Sequence, residues 1–206
     1  MRVVGLIPSR LKSTRLPSKA LLMIDSLPII VHTMKRAQLA KSLDDVYVCT
    51  DSEEIANVVH SHGGKATITK SEHTNGTERI AEAAESLDAD LFVNIHGDEP
   101  LVDPNHIEQI IAEHAKHPEW DIMVPSLPIA RPEDPHIVKI VHDVNYRIIF
   151  MSRSVIPQPF NHRPGFFLKQ LGVTSYKPEA LQRYASLKPS PLQLSESVEL
   201  LGALEN

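Results

Sequence analysis

Apolar and polar positions follow two rhythms along this chain. Residues 3–7 (Val-Val-Gly-Leu-Ile) form a continuous apolar run that stops at Pro8, as a strand buried on both faces does. Pro28 opens an amphipathic stretch to residue 40, with proline suited to a first helical turn. Residues 45–50 (Asp-Val-Tyr-Val-Cys-Thr) predict a second strand. Ser52 is placed to cap a helix carrying Ile55, Val58 and Val59, which Gly63-Gly64 ends. A short strand over 66–69, a helix over 77–87, a strand over 91–95 and a helix over 104–117 follow. Strands and helices thus alternate through the first 120 residues, the pattern of an α/β fold on a parallel sheet with right-handed crossovers.

Beyond that point the rhythm changes. Residues 121–129, 137–143 and 146–151 are extended candidates with no helix between them, and Val144-Asn145 sits where a hairpin would turn. Residues 157–164 are proline-rich loop. A strand over 166–176, a helix over 178–187 and a last helix over 192–204 complete the reading. The expected architecture is one domain, 1–206: an α/β core over 1–120, a β-rich subregion over 121–176 and returning helices over 177–206.

Composition narrows the class. With 206 residues, 42% hydrophobic and 23% charged, the chain is an ordinary globular protein. No run approaches the ~20 apolar residues of a membrane span, and no secretory leader is recognisable. One cysteine, Cys49, excludes an internal disulfide framework and reads as a buried strand residue, not a nucleophile. A soluble cytoplasmic protein is the expectation. The net charge of −5 argues against a nucleic-acid partner.

That mean hides an asymmetry. Arg2, Arg10, Lys12, Arg15 and Lys19 all precede the first acid, Asp25. The segment from Pro8 to Lys19 is cationic and rich in hydroxyls, which makes it either a solvated basic loop or an anion site. The glycine patterns of P-loops and dinucleotide-binding turns are missing. His60 with His62, and His114 with His117, lack a third ligand at metal spacing. Asn94-Ile95-His96-Gly97-Asp98-Glu99-Pro100 follows a predicted buried strand, at the sheet edge where α/β proteins bind ligands. There Gly97 permits a close backbone approach, and Asp98 offers a hard oxygen suited to Mg2+ on substrate phosphates. A plain turn built on Asp98 explains the same residues.

Taken together, the motifs resemble those of the sugar-acid cytidylyltransferases, and best the 3-deoxy-manno-octulosonate (Kdo) type. The match starts at Leu6-Ile7-Pro8-Ser9-Arg10 and Ser13-Thr14-Arg15-Leu16-Pro17-x-Lys19. It continues through Cys49-Thr50-Asp51, Gly63-Gly64, Asn75-Gly76-Thr77-Glu78-Arg79 and the His96 to Pro100 segment. Val138-Lys139-Ile140-Val141, Phe150-Met151-Ser152-Arg153, Leu171-Gly172-Val173 and Pro189-Ser190-Pro191-Leu192 extend it over essentially the whole chain.

The resemblance implies a Rossmann-like nucleotidyltransferase core with a mixed, mostly parallel sheet and a β-rich insertion. It implies transfer of CMP from CTP to a 2-keto-3-deoxy sugar acid, with release of pyrophosphate, for lipopolysaccharide or surface-polysaccharide synthesis. Arg10, Lys19 and Asp98 would be catalytic, Asp98 through Mg2+. Pro8, Arg10, Ser13, Thr14, Arg15, Lys19, Asn75, Gly76, Thr77, Arg79, His96 and Gly97 would lie along CTP. Arg153, Gln170, Tyr176 and Glu196 would lie toward the sugar acid. A homodimer joined through the β-rich subregion is also implied.

Departures from the family pattern cluster on the sugar side. Gln170 stands where the Kdo enzymes carry His, and Thr174 where they carry Tyr. Glu196 and Glu199 match, while Leu200 and Gly202 replace Gln and Arg. On the nucleotide side His96 replaces Gln. By the resemblance, family chains run a few dozen residues further, through a second carboxylate for Mg2+. Three other readings stay open: a cytidylyltransferase for a different sugar acid, a CTP-binding or scaffold protein without turnover, and an unrelated α/β phosphate-binding protein.

Overall fold

The computed structural model describes residues 1–11, 16–162 and 164–206. The chain divides into two compact units: Met1–Met123 with Gly172–Ala185, and Val124–Leu171 with Ser186–Asn206. The strand-rich stretch from 121 to 176 is therefore shared between them.

The first unit is built on β1 (Val3–Ser9), β4 (Asp45–Thr50), β5 (Lys65–Ile68), β6 (Leu91–Ile95), β7 (Ile122–Met123) and β12 (Val173–Tyr176). Their order is β5-β4-β1-β6-β12-β7. The first four are parallel, and β12 runs antiparallel to β6 and β7, so the sheet is mixed and mostly parallel. β1 is its centre, with Leu6 opposite Tyr47 on β4 and Asn94 on β6. A short 3-10 turn (Lys19–Leu21) and a small hairpin of β2 (Met23–Ile24) and β3 (Leu27–Pro28) lead into α1 (Ile29–Ala37). None of these three had a hydrophobic period long enough to show in the sequence.

Both faces of the sheet are covered, which is why its strands read as continuous apolar runs. Val3 and Ile7 share one cluster with Val48 and Val93. The same cluster takes Ile30 and Met34 of α1, Ile55 and Val59 of α2 (Glu53–Ser61), and Ile107 and Ile111 of α4 (Pro104–Lys116). Val4 and Leu6 are equally buried outside that cluster. On their side lie α3 (Gly76–Ala84), which packs on β1, and α5 (Pro178–Ala185), which packs on α3. Ser52 caps α2 through a bond from the Ile55 amide, as expected. Two of the histidines considered as ligands have structural partners: His114 bridges the Ser175 hydroxyl at 2.7 Å and the Trp120 carbonyl at 2.8 Å, and His62 meets the Val58 carbonyl.

The second unit is an antiparallel sheet of β8 (Ser126–Ile129), β9 (Lys139–His142), β10 (Ile148–Ser152) and β11 (Phe167–Gln170), in the order β10-β9-β11-β8. Asp143 makes the β9–β10 turn, its carboxylate accepting from the amides of Asn145 and Arg147. Two long strands expected here are each cut in half. Residues 121–129 become β7 and β8, and residues 166–176 become β11 and β12, one half in each unit. The expected last helix is also two, α6 (Pro191–Glu196) and α7 (Leu201–Glu205). Ser197, in the left-handed region at φ 52°, ends the first of them.

Among the described residues, no helix is long and apolar enough to cross a membrane.

Candidate active site

The carboxyl end of β1 is the crowded point of the first unit. A Cβ on Gly97, just past β6, would lie 2.5 Å from the Pro8 carbonyl oxygen. A Cβ on Gly76, at the start of α3, would lie 3.2 Å from the Pro8 ring. Pro8 is thus held between two segments that the sequence marks for nucleotide chemistry. The Gly97 backbone approaches protein here, and the Thr33 hydroxyl on α1 fastens its carbonyl at 3.2 Å.

Charged groups gather beside this point. The chain leaves β1 at Ser9, and Arg10 is exposed. Lys19 opens the 3-10 turn, and its Nζ lies 2.7 Å from Asp98 Oδ2. Burial pushes the Asp98 carboxyl upward, but the hydrogen bond and charge of Lys19, with the field of His96, hold it below the ordinary carboxylate value. Asp98 therefore carries its negative charge at neutral pH. The His96 amide donates to the Gly172 carbonyl at 2.8 Å, which anchors this turn against the start of β12. Asp103, nearby, caps α4 by accepting from the Asn105 amide. Ser13, Thr14 and Arg15, expected in the same cluster, lie outside the described residues, as does Lys12.

Along α3 the expected cytidine residues divide by exposure. Asn75 is the N-cap, accepting from the Glu78 amide at 2.9 Å, while its amide group donates to the Glu78 carboxylate. Thr77 is buried. Arg79 is 3% exposed, and its guanidinium donates to the Thr69 hydroxyl at 2.6 Å, the Lys70 carbonyl at 3.2 Å and Asp51 Oδ2 at 3.3 Å. It locks the end of β5 and the turn after β4 to α3. Asp51 was visible in the Cys49-Thr50-Asp51 motif without an assigned task; being the counter-ion of Arg79 is that task. Cys49 is wholly buried, and burial pushes its thiol up to about 12, which suits packing and not nucleophilic attack.

The expected sugar residues fall in both units. Tyr176 belongs to the first unit and is 1% exposed between β6 and β7, so its ring is part of the packed interior. Gln170, Arg153 and Glu196 belong to the second unit. Gln170 ends β11, half-buried. Arg153 and Glu196 are directly linked: the Arg153 amide donates to Glu196 Oε2 at 2.9 Å and Arg153 Nε to the Glu196 carbonyl at 2.8 Å. The rest of the guanidinium meets the carbonyls of Pro135, His136 and Ser197. Arg153 is thereby a clamp between two turns. Behind it lies Lys139, whose burial pushes its ammonium below the ordinary lysine value while the charges of Asp134 and Glu196 act to restore it. It stands inside the apolar run 137–141.

Among the described residues no three His, Cys, Asp or Glu side chains converge on a metal position. Asp98 is a hard oxygen donor of the kind that takes a cation already bound to phosphates, and in this structure Lys19 is its partner.

A nucleotide-handling α/β protein is the class that this sheet and its edge define. A family model described as "Cytidylyltransferase" matches residues 4–206, and the chain belongs to that family. It is 42% identical, over its whole length and 86% of the relative's, to a 3-deoxy-manno-octulosonate cytidylyltransferase of Chlorobium limicola. It is 40% identical, with the same coverage, to an 8-amino-3,8-dideoxy-manno-octulosonate cytidylyltransferase of Shewanella halifaxensis. The solved structure of a CMP:2-keto-3-deoxy-manno-octonic acid synthetase complexed with CTP superposes with a TM-score of 0.94 at 33% identity, over all of this chain and 86% of that one.

Arg79 provides the first test. Replacing it with Met leaves Asp51 largely buried and without its counter-ion, at a cost of about 3 kcal/mol in urea denaturation. An Arg79→Met protein of unchanged stability that had merely lost CTP affinity would show that the guanidinium serves the nucleotide instead.

Proposed function

We propose that this protein transfers CMP from CTP to a 3-deoxy-manno-octulosonate-type sugar acid, releasing pyrophosphate, in the building of lipopolysaccharide or another surface polysaccharide. The observation that carries this reading is the Lys19–Asp98 contact at 2.7 Å beside the Pro8 clasp. A phosphate-seeking cation from the opening loop and a cation-seeking acid from the β6 turn share one place. The family and the CTP-bound structural relative support the same substrate.

In this reading the sugar's anomeric hydroxyl gives up its proton to solvent as its oxygen forms a bond to the α-phosphorus of CTP, and the bond from that phosphorus to the bridging oxygen of pyrophosphate breaks. Negative charge grows on the phosphoryl oxygens and the leaving group. Arg10 and Lys19 hold fixed positive charge for it, which is the electrostatic part of the catalysis. Asn75, Gly76 and His96 border the nucleoside. Asp98 would hold Mg2+ that arrives with the triphosphate, and the ion would supply Lewis-acid stabilisation of the charge that develops there. Glu196 and Gln170 read the hydroxyls of the sugar acid. Gln170 and Thr174 stand where the Kdo pattern has His and Tyr, and a relative at 40% identity carries the 8-amino name, so the amino sugar is the second candidate substrate.

A homodimer accompanies this reading. Tyr146, Ile149, Phe160 and Phe166 of the second unit are exposed, an apolar set suited to a second copy of the chain. Sedimentation velocity at micromolar concentration is expected to show one species of twice 23.0 kDa; a monomer there would remove this part.

Pyrophosphate release is the direct assay, with CTP, Mg2+ and either sugar acid. The wild-type protein is expected to turn over one of them, and Asp98→Asn to lower turnover by at least about 100-fold with an unchanged melting profile. An unchanged rate removes Asp98 from the reaction. CTP binding without pyrophosphate release from either sugar favours a nucleotide-binding protein without turnover.

A further inference from the structure

The second unit contains an ammonium group shut off from water. Lys139, the first residue of β9, is 0% exposed. Its Nζ donates to the carbonyls of Asp134 at 2.9 Å, Ile137 at 2.6 Å and Arg153. A lysine has three ammonium donors, and all are used. A methionine would fill this space without the cost of desolvating a charge. What the lysine adds is a tie between the turn at 134–137 and the end of β10.

That strand end holds Glu196. The Ser152 hydroxyl donates to Glu196 Oε1 at 2.7 Å, and the Arg153 amide to Oε2 at 2.9 Å. The Arg153 guanidinium returns to the Pro135 carbonyl at 3.1 Å, on the turn that Lys139 also grips. Lys139, Arg153, Glu196 and this turn therefore form a closed circuit. Each oxygen of the Glu196 carboxylate accepts one bond within it and retains a lone pair, so the group is both oriented and able to accept another donor.

We propose that Lys139 is a positioning residue: by clamping the Arg153 carbonyl to the 134–137 turn, it sets the angle at which the Glu196 carboxylate meets a hydroxyl of the sugar acid. Ser152 is its partner in this task. The inference rests on the reading of Glu196 as a sugar contact, and it adds two residues that touch no substrate themselves.

Steady-state kinetics for the sugar acid, paired with CTP titration calorimetry, tests it on Lys139→Met, Lys139→Arg, Ser152→Ala and Glu196→Gln. Lys139→Met and Ser152→Ala are expected to raise the KM for the sugar acid by about tenfold or more, because a small misplacement of a contact is costly. The Kd for CTP is expected to stay within about twofold, and Lys139→Arg, which keeps charge and donors, to recover most of the loss. Should Lys139→Met fail to fold, Ser152→Ala must still raise the sugar-acid KM alone. An unchanged KM in either folded variant overturns the proposal, as does a parallel loss of CTP affinity, which would mean general loosening. Glu196→Gln separates the two layers. If it leaves the sugar-acid KM unchanged, the assignment of Glu196 itself falls. If it raises that KM while Lys139→Met and Ser152→Ala do not, the positioning role alone is wrong.

Discussion

Contact between Pro8 and the two glycines beside it is the constraint on which the carboxyl end of the central strand depends. β1 is the centre of the sheet, and its carboxyl end receives the start of α3 at Gly76 and the turn after β6 at Gly97. The Gly97 approach is backbone against backbone, at a distance no side chain tolerates. It places Asp98 at the next position, within reach of Lys19. Several segments far apart in sequence are thereby gathered at one strand end, where an open α/β sheet offers its binding edge.

Around that point the charged residues divide by exposure. Arg10, Lys19 and Asp98 are open to solvent and can exchange partners with a ligand. Arg79, Arg153 and Lys139 have donors committed to carbonyls, hydroxyls and carboxylates of the protein. A cation so held is fixed in place by the protein. One in water is free to meet phosphate.

Much of the first unit was legible in the sequence. Strands buried on both faces leave continuous apolar runs, and the helices between them carry one apolar stripe, so β1, β4 and β6 stand out from residues 3–7, 45–50 and 91–95. The second unit was harder. Its strands are short and half-exposed, and apolar patterning alone does not say where the chain passes from one sheet to another at Val124 and Leu171. Ser197 could not be foreseen as a helix break, because serine seldom takes a left-handed backbone. That Lys19 and Asp98 lie together was readable from charge and position. The tasks of Arg79 and Lys139 were not, since a cation in a sequence does not announce whether it will be buried. Tyr176 was assigned to the sugar by resemblance, and its place on a strand between two others puts it in the core.

CTP titration of Gly97→Ala against wild type tests the Pro8 clasp most directly. A methyl group 2.5 Å from the Pro8 carbonyl forces the ends of β1 and β6 apart. The protein is expected to remain folded, less stable by about 1–3 kcal/mol, and to bind CTP at least about tenfold more weakly. Wild-type affinity in the Gly97→Ala protein would contradict the account, because the nucleotide would then not depend on the place where these strand ends meet.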